Sequence, residues 1–154
     1  MSIFPTKIIL ATDGSEHAEL ALSTAADLAN ITNSELHVVH VVGLYYPDLQ
    51  SVSDPAFDEM LQRLEQEAQE LLDDQVRKIE EAGGIVQEAH TRRGRQDQQI
   101  IHLGEELGAG LIVMGSRGRG GVRRALMGSV ADSVVRHAHC PVLVVRKEQH
   151  QATL

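Results

Sequence analysis

Short apolar runs alternate with longer amphipathic stretches along almost the whole chain. Lys7–Thr12 is a brief apolar run that ends at an Asp-Gly pair, which predicts a buried strand followed by a turn. From Ser15 to Asn30, apolar residues recur every three or four positions, as they do on one face of a helix. Glu35–Val42 is short and β-branched and predicts a second strand. The chain therefore opens with a predicted β-α-β unit.

The same alternation resumes after residues 43–55, an irregular segment with two prolines. A loop of this length in a small domain is often a lid or a binding element. Apolar residues then step by three and four from Phe57 to Ile79 and predict a long amphipathic helix that ends near Gly83. The remaining pattern predicts strand Ile85–His90, helix Gln96–Leu107, strand Leu111–Met114, a helix from Val122 or Ala125 to His137, and strand Pro141–Val145.

This order of elements predicts a single α/β domain. Alternating strands and helices indicate a parallel sheet with helices on both faces, and right-handed crossovers favour a doubly wound arrangement. The composition agrees, because 42% of the 154 residues are hydrophobic and only 3% are aromatic, which suits an aliphatic core around buried parallel strands. Ligands of such sheets bind beyond the carboxyl ends of strands, where the winding reverses. Polar turns follow two strands, at Thr12–Ser15 and Gly115–Gly118.

The net charge of −8 is unevenly distributed. Residues 1–91 carry 17 acidic and 4 basic side chains, whereas residues 92–154 carry 5 acidic and 10 basic ones. This balance does not resemble a general nucleic-acid binder, and it leaves one local basic region for an anion. One cysteine excludes an internal disulfide, and from the residues at the start of the sequence and the lengths of its apolar runs we predict neither a signal peptide nor a membrane span. We therefore expect a cytoplasmic protein without a membrane span.

A glycine-rich turn follows the fourth predicted strand. Its glycines allow positive φ and close approach of the backbone to a ligand, so that successive N–H groups can cradle phosphate. The following helix N-terminus adds positive potential, as do Arg117, Arg119, Arg123 and Arg124. No lysine follows a glycine here, which excludes the phosphate loop of the large NTPase class. The turn is predicted to bind an anion, and the alternative is a tight turn with solvated arginines.

Other side chains offer further chemistry. Asp13 could bond a ribose hydroxyl, hold a divalent metal beside phosphates, or cap the first helix together with Glu16. The cluster at residues 137–140 contains two histidines and Cys140, but no second cluster has the spacing of a tetrahedral site. Cys140 is interpreted as a small buried hydrophobe. His37 and His40 fall on opposite faces of one strand, so we interpret both as packing residues.

The glycine spacing resembles that of a known family. Gly115-x-x-Gly118, nine residues and then Gly128-Ser129 match the G-2x-G-9x-G-[ST] signature of the ATP-binding branch of the universal stress protein family. The Asp13–Ser15 turn, the second strand, Gly94 and the segment Cys140–Arg146 are also similar. The resemblance covers residues 5–146. It implies a universal stress protein domain over 1–146, a polar tail over 147–154, and a Rossmann-like, adenine nucleotide alpha hydrolase-like sheet with strand order 3-2-1-4-5.

The resemblance also implies a ligand and its contacts. The ligand would be ATP, with Mg²⁺ or Mn²⁺ on its phosphates and Asp13 as the candidate metal ligand. Together with Arg117 of the turn, the nucleotide-binding residues would be Thr12 and Asp13 at the adenosine, the Val41 backbone at the base, Met114 and Gly115 at the ribose, and Gly118, Gly128, Ser129 and Val130 at the phosphates. No residue is predicted to be catalytic, so we expect at most slow ATP hydrolysis.

The last predicted strand could allow two copies of the chain to associate. Val142–Val145 is very apolar, and a sheet edge there would expose unpaired backbone groups that a twofold copy could cover. The resemblance implies a homodimer through this strand, and the alternative is cover by the polar tail. The predicted function is a nucleotide-dependent sensor or switch in a stress response, acting on a regulatory protein partner. The alternatives are an AMP-binding or cyclic-nucleotide-binding protein, a nucleotide-free dimerisation module, and an enzyme, for which one domain of this size leaves little room.

Overall fold

The computed structural model describes residues 1–43, 55–117 and 127–146. Strands and helices alternate through these residues, which confirms the predicted α/β class. The elements are β1 (Lys7–Ala11), α1 (Glu16–Thr32), β2 (Glu35–Val42), α2 (Pro55–Glu81), β3 (Glu88–Arg93), α3 (Gln96–Leu107), β4 (Leu111–Gly115), α4 (Ser129–His137) and β5 (Val142–Val145).

The five strands form one parallel sheet in the order β3-β2-β1-β4-β5, as predicted. From β1 the chain winds to β2 and β3 on one side, and from β4 to β5 on the other. The winding therefore reverses between β1 and β4, where α/β sheets bind ligands. Because Ala11 pairs with Met114, the residues that follow, Thr12 and Gly115, lie side by side at the carboxyl edge of the sheet.

An aliphatic core lies on each face of the sheet, because successive strand residues point to opposite faces. On one face α1 and α2 cover a cluster that includes Ile8, Leu10, Val38, Leu72 and Ile79. On the other face α3 and α4 cover a cluster that includes Ile9, Val39, Ile100, Leu103, Ile112 and Val134. The prediction of helices on both faces is thus confirmed.

The third strand begins three residues later than predicted. The apolar pair at residues 85–86 suggested a strand over Ile85–His90, but Ile85 is 76% exposed and precedes the strand. Pairing with β2 sets the true bounds, from His37 opposite Glu88 to Val42 opposite Arg93. As an edge strand with mostly polar residues, β3 carries little hydrophobic signal of its own.

The fourth helix begins at Ser129, so the predicted start at Val122 or Ala125 is wrong. Gly128 precedes it in an extended conformation (φ −63°, ψ 161°), and residues 127–128 are not helical. The predicted loop at residues 44–54, the arginine-rich part of the turn at residues 118–126 and the polar tail at residues 147–154 lie outside the described residues. In the part of the chain that is described, no helix has both the length and the apolar character to cross a bilayer.

Candidate functional site

A cleft of about 660 Å³ opens at the carboxyl edge of the sheet, between the ends of β1 and β4. This volume is typical of small-molecule sites, which occupy roughly 300–1,000 Å³. Nine of the ten residues predicted for a nucleotide line it: Thr12, Asp13, Val41, Met114, Gly115, Arg117, Gly128, Ser129 and Val130. The tenth, Gly118, lies outside the described residues.

Thr12 fixes the end of β1 through hydrogen bonds of its backbone N–H and of its hydroxyl. Its backbone N–H donates to the Val39 carbonyl at 3.0 Å. Its hydroxyl donates to Oε1 of Gln75 at 2.7 Å and accepts from the Gly14 N–H at 3.2 Å. Both Thr12 and Gln75 are buried, so the hydroxyl links α2 to the floor of the cleft.

Asp13 lies at the mouth of the cleft and is not the cap of α1. Ser15 is the N-cap, and its hydroxyl accepts from the Ala18 N–H at 3.2 Å. Asp13 Oδ1 instead accepts from the Ser15 N–H at 2.9 Å, across a turn in which Gly14 has a φ of +75°. This short turn holds the Asp13 carboxylate beside the cleft.

Gly115 ends β4 where α1 leaves no room for a side chain. A Cβ atom at this position would lie 2.8 Å from the carbonyl oxygen of His17. The sequence suggested that this glycine allows a ligand to approach, whereas the structure shows that it allows the first turn of α1 to approach. The residue is therefore required for packing at the rim of the cleft.

A hydrogen bond closes the glycine-rich turn at its base. The N–H of Gly128 donates to the Ser116 carbonyl at 2.7 Å, and the N–H of Ser116 donates to Val145 at 3.0 Å. Ser116, which follows β4, and Gly128, which precedes α4, are thereby held together.

The bond from Gly128 to Ser116 places the N-terminus of α4 at the cleft. The first N–H groups of a helix have no acceptor within it, and Gly128 has no side chain with which to cap them. Ser129 and Val130 begin the helix and line the cleft, as does Arg117. The positive end of the helix dipole and a full positive charge therefore lie on this side, an arrangement that attracts anions.

Several cleft residues had no clear signal in the sequence. His40 donates from Nδ1 to the Thr12 carbonyl at 2.8 Å, so the histidine interpreted as packing belongs to the wall. The other side of the cleft is formed by the start of α3 and one face of α2, through Gln96, Leu64, Glu67, Ala68 and Leu71. Periodicity indicated the inward face of α2, but it could not show that one end of this face lies over a cleft.

Four further histidines lie in two places, near the end of α4 and between β2 and β3. His137 donates from Nδ1 to the Ser133 carbonyl at 2.9 Å, and His139 lies 3.0 Å from Glu105. Cys140 packs half-buried against the core, and this burial raises the pKa of its thiol. His37, which faces away from His40, instead meets a histidine of β3.

Comparison with known proteins agrees with this fold over nearly all of the chain. The sequence model of the universal stress protein family matches residues 5–146. A universal stress protein of Methanocaldococcus jannaschii is 34% identical over 145 residues, which span 94% of this chain and 84% of that protein. A solved hypothetical protein, whose biochemical function was assigned from its structure, has a TM-score of 0.81 at 28% identity, with 96% of this chain and 99% of that one covered.

Two more distant structures share the fold. A universal stress protein in complex with cAMP has a TM-score of 0.67 at 23% identity, with coverage of 94% of this chain and 99% of that one. A universal stress protein family protein of Arabidopsis thaliana with AMP bound has a TM-score of 0.67 at 22% identity, with coverage of 97% and 96%. On the family match and the identity to its relatives, this chain belongs to the universal stress protein family.

Proposed function

We propose that this chain binds an adenine nucleotide, ATP, in the cleft between β1 and β4, and acts as a nucleotide-dependent switch. The observation that carries the proposal is the N-terminus of α4, which opens into a cleft of about 660 Å³ opposite Asp13. A helix N-terminus that lacks a capping side chain is suited to phosphate.

The phosphates would lie against the start of α4. The N–H groups of Ser129 and Val130 would donate to phosphate oxygens, with Arg117 adding charge from beyond the end of β4. The N–H of Gly128 already donates to Ser116, so Gly128 would serve by leaving space and by keeping the helix uncapped.

The base would lie against β2. Val39 accepts from Thr12, so the odd-numbered residues of β2 direct their backbone groups toward β1. At Val41, two residues further on, β1 has ended and the chain has turned away at Asp13. The backbone N–H and C=O of Val41 therefore point into the space beyond β1, where they could pair with the edge of an adenine.

Asp13 is the candidate ligand for a metal on the nucleotide. Its carboxylate is held at the mouth of the cleft by the Ser15 N–H, and carboxylate oxygens suit Mg²⁺ or Mn²⁺. Such an ion usually keeps several waters and bridges to phosphate oxygens, so one carboxylate suffices. The ion would neutralise phosphate charge and orient the triphosphate.

A switch fits the site better than an efficient ATPase does. Gly43 and Arg117 line the cleft and border the segments 44–54 and 118–126, so a bound nucleotide would contact their ends and alter the surface offered to a regulatory protein. We expect steady-state hydrolysis far below the rate of typical enzymes, about 10 per second.

The first test is to denature the purified protein and identify any released nucleotide by mass. The second test compares Gly128→Asp with Gly128→Asn by calorimetric titration with ATP. The extended backbone at this position accepts both residues, and both can cap α4, but only aspartate places a negative charge where the phosphates would lie. We expect the aspartate to weaken binding about tenfold or more relative to asparagine. Equal affinities would place the phosphates elsewhere, and wild-type protein that binds no nucleotide would overturn the proposal.

The alternative ligand is AMP or a cyclic nucleotide, which related structures carry. A nucleotide with one phosphate engages fewer donors at α4, so ATP should bind more tightly than AMP when the whole N-terminus is used. An AMP affinity equal to or above that of ATP would favour the alternative. A third possibility, a nucleotide-free dimerisation module, predicts that neither ligand binds.

A further inference from the structure

A second cluster of polar side chains lies between β2 and β3, away from the cleft. His37 is 3% exposed, and its Nδ1 lies 3.2 Å from Nε2 of His90. The strand register creates this meeting, because His37 is opposite Glu88 and His90 is opposite Val39 on the same face of the sheet. Two imidazoles and a carboxylate thus converge at the edge of the sheet.

The distances suit a small metal ion. One ligand atom from each of His37, Glu88 and His90 lies within 4.8 Å of the other two. In a tetrahedral zinc site with bonds of about 2.0–2.1 Å, neighbouring ligand atoms are about 3.4 Å apart. The two imidazole nitrogens already have this separation, and the Glu88 Oε2 atom, 3.9 Å from His90 Nε2, belongs to an exposed side chain with room to approach.

Glu35 sets the tautomer that metal binding needs. Its Oε2 lies 3.3 Å from His37 Nε2, so that nitrogen carries the proton and donates to the carboxylate. The Nδ1 atom of His37 is then unprotonated and presents its lone pair to His90. A carboxylate that accepts from the distal nitrogen of a histidine is the common outer partner of zinc-bound imidazoles.

The protonation and the surrounding charges of the cluster are also compatible with a bound cation. Without metal, one N–H of His90 bridges the two rings, and metal binding would move that proton to Nδ1 of His90 or release it. Arg92 follows on the same face of β3, but Glu106 lies 3.1 Å from its guanidinium and offsets that charge. The two carboxylates beside the rings, Glu35 and Glu88, leave the cluster suited to a cation.

From this geometry we infer that His37 Nδ1, His90 Nε2 and the Glu88 carboxylate form a binding site for a divalent transition ion of the Zn²⁺ class, with water as the fourth ligand. The ligand atoms of this site favour a different ion from the one expected at Asp13. Two nitrogens favour Zn²⁺ or Co²⁺, whereas an isolated carboxylate beside phosphates favours Mg²⁺. The site depends on β2 and β3 alone and does not require nucleotide.

The test is titration of nucleotide-free, chelator-treated full-length protein with Co²⁺, followed by displacement with Zn²⁺. Tetrahedral Co²⁺ with nitrogen ligands gives strong visible absorption, which reports coordination directly. We expect one Co²⁺ per chain, and loss of the absorption in Glu88→Gln and in His90→Gln. Glu35→Gln should weaken binding by about 10–100-fold, as loss of an outer partner does.

Matched variants separate this site from incidental histidines. His102→Gln removes an exposed histidine elsewhere, and Glu105→Gln removes an exposed carboxylate of α3 that pairs with His139. Both should bind Co²⁺ like the wild type. Glu88 is exposed, so Glu88→Gln should keep its fold, and its circular dichroism would verify this. Absence of Co²⁺ binding by the wild type, or equal binding by Glu88→Gln and His102→Gln, would overturn the inference.

Discussion

The hydroxyl of Thr12 joins two elements at the floor of the cleft, and its removal should be costly. In Thr12→Val, Oε1 of Gln75 would lose the donor now 2.7 Å away while remaining buried. An unsatisfied buried acceptor costs about 1–3 kcal/mol, and we expect this loss in the free energy of unfolding measured with urea. Thr12→Ser keeps the hydroxyl and should lose clearly less. A loss in Thr12→Ser as large as that in Thr12→Val would show that the hydroxyl contributes no more than the methyl group, which would contradict the prediction.

Asp97, at the start of α3, should make stability depend on acid pH. Burial alone would raise the pKa of this carboxyl, but the Ser133 hydroxyl at 2.5 Å, the Gln98 backbone and Arg95 at 2.9 Å outweigh it and hold the pKa below its ordinary value. The folded state therefore gains stability from the ionised form above the unfolded pKa of about 3.9, and loses it as pH falls through the lower folded pKa.

Comparison with Asp97→Asn would measure this effect. At neutral pH the variant should be less stable by about 1–2 kcal/mol, and the difference should shrink below about pH 4, where the unfolded wild type takes up a proton that the folded state binds only at lower pH. Urea unfolding between about pH 3 and 7 would give both values. Ser133→Ala should lose part of the same pH dependence. A difference between wild type and Asp97→Asn that stays constant down to pH 3 would contradict the prediction.

At the scale of elements, β5 is the outermost strand beside β4 in the described part of the chain, and we propose that its outer edge joins a second copy. Pro141 and Val145 direct their carbonyls to β4, so Val142 and Val144 direct their backbone groups outward. Val144→Pro would remove one outward N–H while leaving the bonds to β4, and it should convert a dimer into a monomer by light scattering. Val144→Ala keeps the N–H and should remain dimeric. A dimer that survives Val144→Pro would show that the strand edges do not pair.

Sequence patterns predicted best the elements whose bounds depend on their own residues and not on contacts with distant residues. β2 and α3 have the predicted bounds because their apolar periodicity coincides with their burial. β3 and α4 were misplaced at their starts. The start of β3 is decided by pairing with His37 on β2, and the start of α4 by the bond from Gly128 to Ser116. Neither contact is local, so a pattern along the chain could not reveal it.

At the scale of the whole molecule, a ligand in the cleft should stabilise the entire fold. The cleft is lined by residues of α2, β1, β2, β4 and α4, so unfolding of any of them would release the nucleotide. At about one hundred times its dissociation constant, ATP should add about 2.7 kcal/mol, which raises the Tm of a domain of this size by about 5–10 °C. Thermal denaturation would measure the shift, and Gly128→Asp provides the comparison in which it should be small.

The position of the site was predictable from the sequence, but its walls were not. The signature glycines and Asp13 follow two strands, and the strand order brings those strand ends together. His40 and the α2 residues reach the cleft through tertiary packing, which no spacing along the chain encodes. His37 and His90 are similarly far apart in sequence and meet only through the register of two strands.

The contact between Gly115 and His17 has a consequence for how the site can vary. A side chain at residue 115 would have to displace the backbone of α1, so Gly115→Ala should destabilise by about 1–3 kcal/mol, whereas Gly43→Ala would bring its Cβ only to 3.5 Å from Gln96 and should be mild. In a library of random substitutions selected only for folding, without nucleotide, residue 115 should therefore still remain glycine. Conservation of Gly115 would then reflect the close contact between α1 and β4. Variation at Ser129 would be a better indicator of which ligand the protein binds.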